Sequence, residues 1–109
     1  MARTEIFIPI RPPSGGKSQA RQAFIKESRP YIPNIYNYEL FPFTERKYSI
    51  YICFMYINDQ IIDIDNSIKT ILDSLKGRII RDDRDVKRLI VEVKEHHFEQ
   101  GIIVQIEEM

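Results

Sequence analysis

The segment Lys47 to Ile57, KYSIYICFMYI, constrains the fold most, because it is apolar on both faces over much of its length. It is too short to cross a bilayer, which takes about 20 apolar residues. A strand with one wet face would alternate more cleanly, so the run is expected as a buried strand at the centre of a sheet. A polar turn, Asn58-Asp59-Gln60, follows, and then the period changes. From Ser67 to Lys76 the apolar residues Ile68, Ile71, Leu72 and Leu75 fall at i, i+3, i+4 and i+7, the spacing of an amphipathic helix with one buried stripe. Asn66 or Asp65 is placed to cap its start, and Gly77 to supply its left-handed stop.

Around this strand–helix unit the chain offers three more strands and one more helix. Glu5 to Ile10 reads as a strand ending at Pro12-Pro13, where a ladder cannot continue. Ser14-Gly15-Gly16-Lys17-Ser18 reads as a loop leading into a short helix, Gln19 to Ser28. The Gly-Gly-Lys-Ser string lacks the upstream glycine of a nucleotide-binding loop, since position 11 is arginine, and is better read as a basic loop beside nucleic acid. Residues 29–44 carry Pro30, Pro33 and Pro42 among Tyr31, Tyr36, Tyr38, Phe41 and Phe43, which predicts an irregular connector whose aromatics pack on the core. Val86 to Glu95 and Ile102 to Glu107 alternate apolar and polar residues and are expected to form a hairpin about the turn Glu99-Gln100-Gly101. The whole, residues 1–109, is expected to be one α+β domain: a small mixed sheet of about four strands with two helices.

Composition narrows the function classes. With 43% hydrophobic and 29% charged residues the chain belongs with globular rather than disordered proteins. The N-terminal stretch has no apolar signal-peptide core, from which a cytoplasmic location is expected. Cys53, the single cysteine, lies among Ile52, Phe54 and Met55 and is expected to be a small buried side chain. Net charge is zero but unevenly spread. Residues 1–30 hold six Lys/Arg against two acids, 31–68 two against five, 69–95 eight against six, and 96–109 none against three. Positive charge thus flanks an acidic middle, an arrangement suited to phosphate contacts.

That middle holds the chemistry. Asp63-Ile64-Asp65-Asn66 is followed by Lys69, and a second acidic pair, Asp82-Asp83, precedes the third strand. If Asp63 and Asp65 lie in extended chain, their carboxylates leave the same side and Ile64 points to the core. Two such carboxylates repel each other unless a cation lies between them, and Mg²⁺ prefers oxygen ligands. The positive end of the following helix favours negative charge there, including a phosphate, and Lys69, one turn in, could steady charge developing on it. If the third strand lies beside the one leading to Asp63, Asp82-Asp83 returns to the same corner, and three aspartates sharing a cation is the chemistry of metal-assisted phosphodiester hydrolysis. Each motif alone has a plain structural reading: a helix start, a turn before a strand, and a Lys69–Asp73 i, i+4 pair. Only their combination points to a site.

The ordered set Asp63-Ile64-Asp65-Asn66-x-x-Lys69-x-x-x-Asp73-x-Leu75-x-Gly77, then Asp82-Asp83-x-x-Val86, resembles the RusA family of Holliday junction resolvases. Ile8-Pro9 and Pro12-Pro13-Ser14 give a weaker likeness nearer the N-terminus. The resemblance implies a RusA-like homodimer that resolves four-way DNA junctions by Mg²⁺-dependent paired nicking, with Mn²⁺ as a substitute. It implies Asp63, Asp65 and Asp83 as metal-binding catalytic aspartates, Lys69 as a catalytic lysine, and Asn66 and Asp82 in support. Lys17, Arg21, Arg78, Arg81, Arg84, Lys87 and Arg88 are then the candidate DNA contacts, while His96 and His97 are assigned to surface or interface. The sequence departs from the family pattern at Asp59-Gln60-Ile61-Ile62, where relatives often carry basic residues, and at the proline-rich 29–44 connector. Those departures, with the zero net charge, leave a degenerate, non-catalytic branched-DNA-binding module as the alternative.

Overall fold

The computed structural model describes residues 3–13, 18–34, 47–58 and 63–109. The elements are β1 (Arg3–Ile8), α1 (Ser18–Ser28), a 3₁₀ turn (Arg29–Tyr31), β2 (Tyr48–Met55), α2 (Ile64–Leu75), a second 3₁₀ turn (Asp83–Asp85), β3 (Val86–Lys94) and β4 (Gly101–Glu108). The four strands form one mixed sheet in the order β1-β4-β2-β3. β4 pairs antiparallel with both β1 and β2, whereas β2 and β3 run parallel. The α+β class and the central place of the apolar strand are as expected. No helix among the described residues is long and apolar enough to cross a membrane.

The core follows from strand alternation. Ile50, Ile52 and Phe54 of β2 join Ile6 and Ile8 of β1 and Ile102, Val104 and Ile106 of β4 on one face, where Ile71 and Leu75 of α2 and Phe24 of α1 cover them. Cys53 and Met55 leave the other face of β2 and are buried as well, which is why this strand shows no wet side in the sequence. α2 has a second buried strip, Ser67, Thr70 and Ser74, whose hydroxyls donate to the carbonyls of Asp63, Asn66 and Thr70 at 2.9, 2.9 and 3.0 Å. Satisfying themselves on their own helix, these small side chains let α1 approach closely, and Ser28 Oγ donates to Ser74 Oγ at 3.3 Å. Gly77, at φ 80°, turns the chain out of the helix as its position predicts.

Several expectations are corrected. β3 and β4 are not a hairpin: β4 lies on the opposite side of β2 from β3, so the 95–100 segment arches across the end of β2, where His97 N–H donates to the Tyr56 carbonyl at 2.8 Å. Alternation reveals a wet face but not which neighbour a strand takes. α2 starts at Ile64 rather than Ser67, so Asp65 lies in its first turn and not in extended chain. Ile64 is consequently exposed instead of pointing to the core. Tyr31 is exposed too, and Ile32 beside it is the residue that reaches the core. Tyr36, Tyr38, Phe41, Phe43 and the Gly-Gly-Lys loop at 15–17 lie outside the described residues.

Gly101, expected in a turn, is the first residue of β4. A Cβ there would stand 2.6 Å from the Phe7 ring and 2.8 Å from the Ile8 carbonyl oxygen. The backbone atom cannot yield as a flexible side chain can. Gly101→Ala is expected to lower unfolding free energy by about 1–3 kcal/mol, the usual range for overpacking, as measured by urea titration. An unchanged midpoint would mean that Phe7 does not sit over this glycine.

Candidate active site

Asp63 is the N-cap of α2, with φ −90° and ψ 93°, yet its side chain makes no capping bond to the helix. It is instead held by Asn66, whose Nδ2 donates to Asp63 Oδ2 at 2.6 Å. The Asp65 side chain lies within hydrogen-bonding reach of the same carboxyl group. Both aspartates are exposed. They stand at the positive end of α2, where unpaired N–H groups favour negative charge. Lys69, one turn in and on the Asp65 side of the helix, is exposed and forms no ion pair among the described residues. The expected Lys69–Asp73 pair is replaced: Asp73 binds Arg21 and, at 3.6 Å, Lys76. The ammonium of Lys69 is thus available to an anion.

The exit of β1 comes to the same end. β1 runs parallel to β2, because both pair antiparallel with β4. The single Ser67 hydroxyl proton is shared between the Pro13 carbonyl at 2.5 Å and the Asp63 carbonyl at 2.9 Å, tying the strand exit to the helix start. Arg11 reaches Tyr56, whose hydroxyl is pushed up by burial and only partly offset by that charge. A cavity of about 330 Å³ opens here among Arg11, Pro12, Pro13, Phe24, Asn66 and Thr70. Arg11 was not among the candidate residues. No motif contains it, and only the pairing of β1 with β4 carries it here.

Asp82 and Asp83 lie at the other end of α2. Asp82 sits 4.0 Å from Lys76, just past the helix, and 3.5 Å from Arg84 Nε. Its carboxyl is held below the usual carboxylate range by a hydrogen bond from the Asp83 side chain, with Lys76 a smaller cause. The expected gathering of Asp63, Asp65 and Asp83 therefore does not occur within one chain. Among the described residues, no three Asp, Glu, His or Cys side chains are grouped to hold a metal ion. The physical reason is the parallel pairing. β3 does lie beside β2, but Val86 aligns with Tyr48 and Lys94 with Met55, so the residues before β3 meet the start of β2 and not its end. α2 spans the difference, ~18 Å over its length.

Of the candidate DNA contacts, several are engaged within the fold. Arg21 pairs with Asp73, Arg81 pairs with Asp85 at 2.9 Å, and Arg78 Nη1 donates to the Ile32 carbonyl at 3.2 Å. Lys17 lies outside the described residues. Arg84, Lys87 and Arg88 are exposed and surround Asp83 on an open surface with Leu72 and Leu89. His96 is exposed and His97 half-buried at the far end of β3.

The donor set at the first pair fits a hard cation. It consists of two adjacent exposed carboxylates, and Mg²⁺ commonly takes only one or two from a protein, completing its shell with water and substrate phosphate. The pair also leaves a signature in titration. A hydrogen bond shared with the Asp65 side chain and one donated by the Asn66 amide hold the Asp63 carboxyl below its ordinary range. Since the folded value is depressed, the stabilisation is present above the unfolded value and is lost as pH falls through the folded one. Asn66→Ala is expected to move the Asp63 titration upward, followed by carboxyl ¹³C chemical shifts. A curve that does not move would remove Asn66 as its partner.

The sequence profile described as Endodeoxyribonuclease RusA matches residues 5–107. No curated protein matches the chain. The profile spans every strand and both helices, from within β1 to within β4, and includes both acidic pairs and Lys69. With 103 positions matched in a chain of 109 residues, from residues 5–107, the protein belongs to the RusA family of endodeoxyribonucleases.

Proposed function

We propose that the protein is a Mg²⁺-dependent endodeoxyribonuclease that resolves four-way DNA junctions as a homodimer, by paired symmetric nicks. Family membership implies junction resolvase activity. The observation that carries the finer reading is the exposed Asp63–Asp65 pair at the positive end of α2, with Lys69, which has no ion pair among the described residues, one turn away. Asp63 and Asp65 would hold the cation, with Asn66 fixing the Asp63 carboxyl. Bound there, Mg²⁺ would activate water and neutralise charge on the scissile phosphate. Lys69 would hold that phosphate and offset the charge that builds on it.

A dimer would give Asp83 a place in the site. β3 is an edge strand with Leu89 and Ile90 exposed, and such an edge is a template for pairing. If two copies join β3 to β3 about a two-fold axis, the strands run antiparallel. The start of one then lies beside the end of the other. Asp83 of the partner subunit would be carried to the end where Asp63 and Asp65 lie, accompanied by basic residues. A two-fold assembly also matches a substrate that needs two symmetric cuts.

Asp63→Asn is expected to abolish cleavage of a synthetic junction in Mg²⁺ while leaving binding intact, and Lys69→Ala to lower cleavage about 10²-fold or more. Retained cutting by Asp63→Asn would remove the pair from the chemistry. Absence of metal-dependent cutting in the unmutated protein, with binding preserved, would favour the non-catalytic binding module, which the separation of the two pairs and the zero net charge already favour. Mixing Asp63→Asn with Asp83→Asn chains tests the partner arrangement. A heterodimer built across subunits keeps one site with both aspartates, so single nicks are expected. Two sites each contained in one chain would give none.

A further inference from the structure

The arch between β3 and β4 holds an aromatic side chain away from the protein. Phe98 is 88% exposed, more than any other large apolar residue described. Its loop is built. His97 N–H donates to the Tyr56 carbonyl at 2.8 Å, fixing the arch to the end of β2. The Phe98 ring stacks on the His97 ring, with centroids 4.3 Å apart and planes at 29°. Glu99 N–H donates to His97 Nδ1 at 3.3 Å, setting the imidazole under it. His96 adopts φ 53°, a left-handed conformation uncommon outside glycine, and turns the chain at the point of display. A ring held this way loses little further freedom when it is covered.

The position of the arch indicates what covers it. β2 ends at Met55 and leads through Tyr56 toward Asp63, so the arch, the acidic pair and the exit of β1 share one end of the sheet. Lys94 stands against Glu95 and Glu99 on the arch, so the ring is presented in a slightly acidic surround rather than in a basic patch. That suits stacking on base faces better than gripping phosphates.

We infer that Phe98 is an intercalating side chain that enters the base stack of branched DNA next to the strand presented to Asp63 and Asp65. This rests on the junction-binding part of the proposed function. Apolar wedges of this kind partly unstack a step and kink the duplex. A branch point, where stacking is already interrupted, accepts one at lower cost than a continuous duplex does.

The chain contains no tryptophan, so Phe98→Trp places a single reporter at the tip. Its emission is expected to be quenched when a four-way junction is added in EDTA, and to be quenched less by a duplex of equal length. Junction binding is followed separately by anisotropy of a labelled junction. Phe98→Ala is expected to weaken junction binding about tenfold, within the range for loss of one base stack. Its thermal midpoint should not change, and Phe98→Trp should bind as the unmutated protein does. Quenching without cleavage in Mg²⁺ would support the wedge while overturning the nuclease reading. Binding and cutting by Phe98→Trp with its emission unquenched would overturn the wedge and leave that reading standing. No junction binding at all would overturn the wedge together with the junction reading.

Discussion

Everything at the candidate site depends on β2 and β3 running parallel. Two parallel neighbours cannot be joined by a tight turn, so the chain must travel back along the sheet before the second strand begins. α2 makes that return. Whatever precedes the helix is consequently left at one end of the sheet, and whatever follows it at the other. The two acidic pairs straddle the helix in sequence, and the topology separates them in space. The same geometry concentrates the remaining chemistry. The end of β2, the exit of β1, the start of α2 and the β3–β4 arch all meet at one edge, with exposed carboxylates, a lysine, Arg11 and an aromatic ring.

The two pairs also differ in their electrostatic surroundings. Asp82 is flanked by Lys76 and Arg84, with Arg81 and Asp85 paired close by in sequence, so the charge of Asp82 itself is countered within the fold. Asp63 and Asp65 have an amide and the helix terminus, but no cation beside them among the described ion pairs. The early pair is exposed and accessible to a cation from solution, and the positive end of α2 favours its charged form. The contrast is consistent with the cation-holding role proposed for the early pair, and gives the late pair, in a single chain, a more enclosed setting.

Much of the fold was legible because it rests on local periodicity. The unbroken apolar run of β2 marked a central strand, and Ile68, Ile71, Leu72 and Leu75 marked the helix stripe. Gly77 marked its end. Strand neighbours were not legible, since the alternation of β3 and β4 is the same whether they pair with each other or on either side of β2. The spacing Asp63-x-Asp65 suits both extended chain and a helix start, and Ile64, read as core-facing, is exposed because the helix begins there. Arg11 and Phe98 carry no periodic signal at all; each gains its position only from long-range pairing. The family motif names the candidate residues as a set in sequence, but a set in sequence contains no information about which chain supplies each member.

β4 has a further consequence. It is an interior strand, flanked by β1 and β2, although it comes last of the eight described elements in chain order. A polypeptide emerging from the ribosome therefore exposes β1 and one side of β2 without a mate until Gly101–Glu108 has cleared the exit tunnel. Until then the most apolar strand of the protein has an open flank. Co-translational folding cannot proceed from the N-terminus by adding strands in turn; closure of the sheet waits for β4, and a ribosome stalled before that point would hold a sticky, half-built sheet.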